Sequence, residues 1–316
     1  MNSREITLDD IEALAVGAWI LGTGGGGSPY LGLLNMRRLY AEGHRVELMS
    51  PFDLADDDRV AVVSNMGAPL IGQERLADSR NIARAVEMQE EYSGIKFRAV
   101  MSLEIGGGNG IQPLMAAAHL GLPVIDADTM GRAYPEAQMT SVAVGELMPY
   151  PCALYDPRGI EAIVTRVPSW QWMERASRKI CVEMGSIAST CKAPRSGAEI
   201  KQWGIHFTMS KAIGIGRRVR EAVRIHADPV GVIEIEGRHQ LDPVPLGIKP
   251  AHVEEPEIRA PPAAGAEDPG PDGKRFDVVQ GDRGGHAARC HCEERHDEAI
   301  SAAQRNRHEI ASLRSQ

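Results

Sequence analysis

Aromatic residues are scarce in this chain: four Phe, six Tyr and four Trp make up 4% of its 316 residues. A broad surface of base-stacking rings is therefore excluded, and the core has to be assembled from Ala, Val, Ile, Leu and Met. Basic residues are outnumbered, with 35 Lys and Arg against 43 Asp and Glu and a formal charge of -8. The absence of a long basic stripe argues against nucleic acid as the main partner. Long apolar runs are lacking as well. The N-terminal one, Ala13 to Leu21, follows Glu5, Asp9, Asp10 and Glu12, and is too short for a bilayer and wrongly flanked for a signal peptide. The expectation is a cytoplasmic protein without membrane contact. Cysteines at 152, 181, 191, 290 and 292 are an odd number without a secretory context, which argues against a disulfide framework. Hydrophobic residues at 43% nonetheless suffice for a substantial core. A small molecule is the expected ligand.

Glycine, by contrast, is abundant, with 33 residues, and it clusters where strands are expected to end. The apolar run Ala99 to Leu103 gives way to Glu104 and then Gly106, Gly107 and Gly108, the pattern of a buried strand entering a tight loop. Asn109 is placed to cap the helix that follows. Pro113 fits its first turn, and Leu114, Met115, Ala118 and Leu122 share roughly one face of a helix ending near Gly121. Pro123 to Asp126 supplies a second strand. A strand, helix, strand unit of this length is most economically a right-handed parallel crossover. It brings Glu104, Asp126 and Asp128 to the edge where open α/β sheets bind ligands. The loop that follows carries Arg132 and Glu136. Arg132 offers a guanidinium fork for a substrate carboxylate, or an internal ion pair with Asp126, Asp128 or Glu136.

Nearer the N-terminus, Thr7 is a helix cap, with Asp9 and Asp10 at the positive end of the dipole of a helix running to about Leu21. GTGGGGSPYLG, Gly22 to Gly32, interrupts it, and Pro29 starts a helix through Tyr40. Gly24, Gly25, Gly26 and Gly27 let backbone N–H groups turn inward as an anion cradle, and the same glycines equally let two helices and a strand approach closely. The loop is not a P-loop, since no Gly-Lys-Ser/Thr follows, nor a dinucleotide fingerprint, since no strand precedes it. Val46 to Met49 and Val60 to Ser64 read as strands, the second leaving through Asn65 to Pro69, and Gln73 to Tyr92 reads as an amphipathic helix. Thr140 to Leu147 fits a strand or short helix. Ala153 to Tyr155 likewise fits a strand or short helix, and Glu161 to Arg166 reads as a strand on the far side of a turn at Asp156 to Gly159. A helix over Trp170 to Gly185 carries Trp172, Ala176, Ile180 and Met184 on one side. Another, Met209 to Ile225, is capped by Thr208 or Ser210 and carries Arg217, Arg218, Arg220 and Arg224 on a solvated face. Cys181 and Cys191 have no nearby His and read as small hydrophobes. The alternation of strands and helices predicts an α/β fold, a layered sheet with helices on its faces.

Past Pro250 the composition turns to Pro, Gly, Ala and charge, which cannot pack a core, so residues 250–316 are expected to be disordered. Cys290, His291, Cys292 and His296 lie in that tail without the spacing of a folded zinc module. The tail is similar to the read-through of bacterial interspersed repeats. No metal and no cofactor are expected.

Together these motifs resemble the S-methyl thiohydantoin desulfurase family. The matching elements are GTGGGGSPYLG, NMGAP at Asn65 to Pro69, EIGGGNGIQPL at Glu104 to Leu114 and DADTMGRAYPE at Asp126 to Glu136. WMERASR at Trp172 to Arg178 and TMSKAIGIGR at Thr208 to Arg217 support them. The resemblance covers roughly residues 5–225. It implies an α/β N-terminal domain, expected over 5–228, and a β-rich second domain of which GVIEIEG, Gly231 to Gly237, is a remnant within 229–249, so the chain reads as truncated. It also implies hydrolysis at C2 of a five-membered thiohydantoin ring with release of a thiol. Glu104 or Asp126 is then the expected base, with Asp128 as partner. Gly24, Gly25, Gly26, Gly27, Gly107, Gly108, Asn109, Arg132 and Glu136 are the expected substrate contacts. Two other readings stay open. One is a noncatalytic hydantoinase-associated subunit or regulator binding a similar ring, favoured by the missing β domain. The other is a metal-dependent hydrolase ligated by the three acids, which lacks the histidines that usually complete such sites. The expected partners are the small-molecule substrate and either further copies of the chain or a hydantoinase.

Overall fold

The computed structural model describes residues 3–68, 70–74 and 78–233. Its strands are β1 (Arg4–Glu5), β2 (Glu47–Met49), β3 (Arg59–Gly67), β4 (Ala99–Ser102), β5 (Val124–Ile125), β6 (Ala127–Asp128), β7 (Cys152–Asp156), β8 (Ile160–Val164), β9 (Ile187–Cys191), β10 (Arg195–Ser196) and β11 (Ile205–His206). The helices are α1 (Leu8–Gly22), α2 (Tyr30–Ala41), α3 (Ile71–Glu74), α4 (Arg80–Ser93), α5 (Gln112–Leu120), α6 (Ser141–Val144), α7 (Trp170–Glu183), α8 (Gly197–Trp203) and α9 (Thr208–Arg224).

One mixed sheet in the order β1-β2-β5-β4-β3-β9-β7-β8 organises the layers. Its centre, β2, β5, β4 and β3, is parallel. These strands are buried on both faces, which is why they read as continuous Val, Ala and Met runs rather than as alternation. On one face Ala61, Val63, Val100 and Val124 pack with Leu14, Leu39, Ile82, Leu114 and Ile213 from α1, α2, α4, α5 and α9. On the other, Val60, Val62, Met101, Leu103 and Ile125 pack with Leu54 and Ile200. Burying a Val, Leu, Ile or Met side chain contributes about 1.5–3 kcal/mol, so an aliphatic core of this extent holds the layers without large rings. The expected strands Val60 to Ser64, Val100 to Leu103 and Val124 to Asp126 are indeed neighbours in one sheet. Among the described residues no helix is long and apolar enough to cross a membrane.

Several local expectations shift. β3 does not end at Ser64: Asn65, Met66 and Gly67 continue it, because β9 pairs with them through Ser189, Ala188 and Ile187. The helix expected from Gln73 is replaced by α3 and a separate α4 that starts at Arg80, where Asp78 accepts the Arg80 N–H at 2.9 Å. In α7 the buried stripe is Trp170, Met173, Ser177 and Cys181, one position out of step with the expected one, and Trp172 is exposed. The arginines of α9 are not simply solvated. Arg217 bonds Asp10 at 2.5 Å, and Arg220 pairs with Asp9 and Glu12, so the basic face meets the acidic start of α1. The two helices cross closely, since a Cβ on Gly17 would lie 1.8 Å from the Ala212 carbonyl oxygen and one on Gly216 would lie 1.8 Å from that of Ala13. The first residues of GVIEIEG are helical: 229–233 form a turn in which Asp228 accepts from the N–H groups of Val230 and Gly231. The rest of that motif, the tail over 250–316 and its Cys and His cluster lie outside the described residues.

Candidate active site

Because β3, β4 and β5 are parallel, Asn65 among the last residues of β3 and Glu104 and Asp126 just past β4 and β5 lie toward the same end of the sheet. Ser102 closes the turn after β4, its hydroxyl donating to the carbonyls of Glu104 at 2.5 Å and Asn109 at 3.0 Å. This ties the residue that ends the strand to both ends of the loop from Glu104 to Asn109. The carboxylate of Glu104 accepts from Asn109 Nδ2 at 2.5 Å and from the Tyr134 N–H at 2.9 Å. It is 7% exposed. Burial raises its pKa to about 7, against the opposing pull of those two hydrogen bonds and of the Lys192 charge. A carboxyl group with a pKa near neutrality can take a proton and give it back, as a general base and acid must.

Asn109 does not cap α5, whose N-cap is Ile111 without a side-chain bond. It is drawn instead to the exit of β3, where its Oδ1 accepts the Asn65 N–H at 2.7 Å. Asn65 Oδ1 in turn accepts from Ser189 Oγ at 3.0 Å. The amide of Asn109 is thereby fixed from one side and presents its donor to Glu104 on the other.

Asp128 is completely buried and accepts from the N–H groups of Ile105 at 2.7 Å, Gly131 at 2.9 Å and Met130 at 3.3 Å. Burial, and in smaller part the neighbouring Glu104 charge, raise its pKa to about 7. It ties the loop after β6 to the loop after β4. Asp126 faces elsewhere. Its carboxylate accepts from the N–H groups of Met209 and Ser210, both at 3.0 Å, and from Ser210 Oγ at 2.5 Å. It is the cap of α9, supplied from a distant strand in place of the expected Thr208 or Ser210 side chain, while Phe207 occupies the N-cap position in a left-handed conformation.

The glycine loops meet. The Gly108 N–H donates to the carbonyls of Gly26 and Gly27, each at 2.9 Å, and the Ala133 N–H donates to that of Leu21 at 3.1 Å. A Cβ on Gly26 would lie 2.3 Å from the Gly106 oxygen, and one on Gly107, at φ +66°, would lie 2.6 Å from the Gly26 carbonyl carbon. Gly26, Gly106 and Gly107 are therefore required for backbone against backbone packing. Gly25 is less confined, with Ala133 Cβ at 3.3 Å, and Gly24 opens on free space. Arg132 and Glu136 do not join the acids. Arg132 is exposed and donates to the Ala133 carbonyl at 2.7 Å, and the exposed Glu136 accepts from Gln138. Among the described residues Arg132 makes no ion pair with Asp126, Asp128 or Glu136.

One residue that no sequence pattern marks belongs here. Lys192 directly follows β9, its N–H bonding the Val62 carbonyl at 2.8 Å, and it is 3% exposed. Its Nζ is buried with no hydrogen-bond partner among the described residues, and its charge bears on Glu104. A buried donor left unpaired costs about 1–3 kcal/mol, more when it is charged. The available signal was a lone Lys at the end of the otherwise uncharged IASTC segment. Among the described residues Cys152, Cys181 and Cys191 are buried and form no disulfide, the Cys181 thiol lies 3.2 Å from the Met66 carbonyl oxygen, and burial pushes the Cys191 thiol well up. No group of three or more His, Cys, Asp or Glu is arranged for a metal among the described residues. A surface cleft of about 350 Å³, lined by Ser3, Arg45, Glu47, Arg98 and Pro123, lies at the starts of β2, β4 and β5, the opposite end of the sheet from Glu104.

Two family descriptions match this chain: S-Me-THD-like, N-terminal domain, over residues 9–166, and S-Me-THD-like, C-terminal domain, over residues 168–239. The strand β9, from the second stretch, lies in the sheet between β3 and β7 of the first. A protein of Chromobacterium violaceum with a crystal structure is similar at 25% identity and a TM-score of 0.61. The match covers 69% of this chain and 62% of that one. No curated protein matches. The four motifs that meet around Glu104 fall in the first matched stretch, Lys192 falls in the second, and the chain belongs to the S-Me-THD-like family.

Proposed function

We propose that this chain is a hydrolase acting at C2 of an S-methyl thiohydantoin type ring, releasing methanethiol and leaving a hydantoin. The observation that carries the reading is Glu104, a buried carboxyl with a pKa of about 7, held between Asn109 and the Tyr134 N–H where the parallel strands end. Water attacking C2 gives up one proton to Glu104 as the carbon–oxygen bond forms. The π electrons of the C2–nitrogen double bond move onto the ring nitrogen. Collapse of the tetrahedral carbon breaks the C2–S bond, the departing sulfur takes the electron pair, and Glu104 returns its proton to that sulfur. The second proton of the water ends on the ring nitrogen, and C2 becomes a carbonyl. General acid and base assistance of this kind contributes about 10²–10⁴-fold in rate. Asp128 acts through the backbone it organises, and Asp126 serves α9.

The test is incubation of the purified full chain with S-methyl thiohydantoin propionate while released methanethiol is trapped and measured. Release that depends on enzyme concentration and disappears in Glu104→Gln is the expected result. A wild-type chain that binds the compound and releases no thiol overturns the hydrolase reading.

A further inference from the structure

We propose that Lys192 is the cation that receives the negative charge of the ligand, contacting the anionic ring nitrogen and carbonyl of a hydantoin or thiohydantoin. The assignment rests on the ring chemistry of the proposed function and adds a residue to it. Its basis is positional. Lys192 is 97% buried by its 3% exposure, and its Nζ commits none of its donors to the described protein. It comes from β9, on the side of β3 opposite β4, the strand that leads into Glu104.

A lysine kept in this state needs a reason. Were it only a counter-charge for Glu104, direct contact would serve best, yet the two make no ion pair and the carboxylate is bonded to Asn109 and Tyr134 instead. The hydroxyls on the paired strands β3 and β9 have partners of their own: Ser64 and Thr190 bond each other at 3.0 Å, and Ser189 bonds Asn65. The reaction supplies an anion. When C2 is attacked, the displaced electrons spread over the ring nitrogen and the adjoining carbonyl oxygen. A free ammonium in a water-poor site stabilises that charge more than it stabilises the neutral ring. The product carries the same feature, since the N–H flanked by two carbonyls ionises far more readily than an ordinary amide.

The experiment measures affinity rather than turnover, with hydantoin and 3-methylhydantoin as calorimetric probes at pH 8. The second probe cannot ionise between its carbonyls. Wild type should prefer hydantoin by about tenfold or more. Lys192→Met should lose that preference while keeping a native circular dichroism spectrum, and Lys192→Arg should restore part of it. Equal affinity of wild type for the two probes overturns the proposal without any variant, as does a Lys192→Met protein that keeps the preference. No binding of either probe by wild type overturns it as well. If the preference depends on Lys192 but no methanethiol is released, the desulfurase reading fails and Lys192 remains the anion site. If methanethiol is released and Lys192→Met changes neither preference nor kcat/KM, Lys192 alone is wrong.

Discussion

At the scale of single residues, two acids at the same end of the sheet separate into different roles, and the difference is measurable. Glu104→Gln keeps an oxygen for the Tyr134 N–H but cannot move a proton, so turnover should fall by about 10²–10⁴-fold with substrate affinity little changed. In wild type the rate should rise with pH as Glu104 ionises and level off above about pH 7. A flat profile from pH 5 to 9 removes Glu104 as the base. Asp126→Ala strips three hydrogen bonds from the start of α9. The expected loss is about 1–2 kcal/mol of stability in a denaturant melt, with kcat preserved in the folded fraction. The position of Glu104 was legible in the sequence because an apolar run that stops at an acid before three glycines marks a buried strand turning into a tight loop, with the acid at the turn. The role of Asp126 was not, because its partners lie 83 and 84 residues further along the chain. Lys192 has no periodicity to betray it. A single Lys beside Ser, Thr and Cys reads as the end of a strand until β3 and β9 are paired.

At the scale of elements, helices were easier to find than their orientation. The N-terminus of α1 is a capping box in which Thr7 and Asp10 satisfy each other, and its signal is local. The buried stripe of α7 lies one residue from the expected one, since Trp170 rather than Trp172 is the buried ring and sends its Nε1–H to the Leu147 carbonyl at 2.8 Å. The crossing of α1 and α9 depends on a pairing that no local pattern reports. It brings Gly17 and Gly216 against opposing backbone, and it gives Arg217 and Arg220 carboxylate partners. Gly216→Val has to push the helices apart at Ala13, where the added carbon would otherwise sit 1.8 Å from the carbonyl oxygen. The expected cost is at least the roughly 1–3 kcal/mol of an overpacked core, read as a lower midpoint in thermal or denaturant unfolding. Gly24→Ala is the comparison, since its Cβ meets nothing within 4 Å and its φ of +90° adds only backbone strain. Equal losses at the two positions would show that close packing is not what Gly216 provides.

At the scale of the whole molecule, the layered architecture followed from the double-buried central strands, while β9 escaped because Ser189 and Thr190 interrupt its apolar character. That strand completes the sheet and delivers Lys192, so the fold and the site share one weakly marked segment. The site also writes itself into global stability. Glu104 and Asp128 each have a folded pKa raised to about 7 by burial, above their ordinary values of 4.5 and 3.8. Between those values the native state holds more protons than the unfolded chain. Their stabilising contribution is therefore fully present below the unfolded pKa values and is lost as pH rises through about 7. Asp10, whose pKa is lowered, acts in the opposite sense, and its contribution disappears only in acid below its ordinary value of 3.8. His119, whose pKa burial lowers from 6.5, works against the buried pair between pH 5 and 8, and both proteins compared carry it across that interval. Wild type should lose stability across it, and Glu104→Gln should lose less, the gap between the two widening by about 2–3 kcal/mol at pH 8 relative to pH 5. Urea unfolding at the two pH values measures it directly. A gap that stays constant would mean that Glu104 is already ionised at pH 5 in the folded chain, and the rise in rate toward pH 7 assigned to it would have no titration behind it.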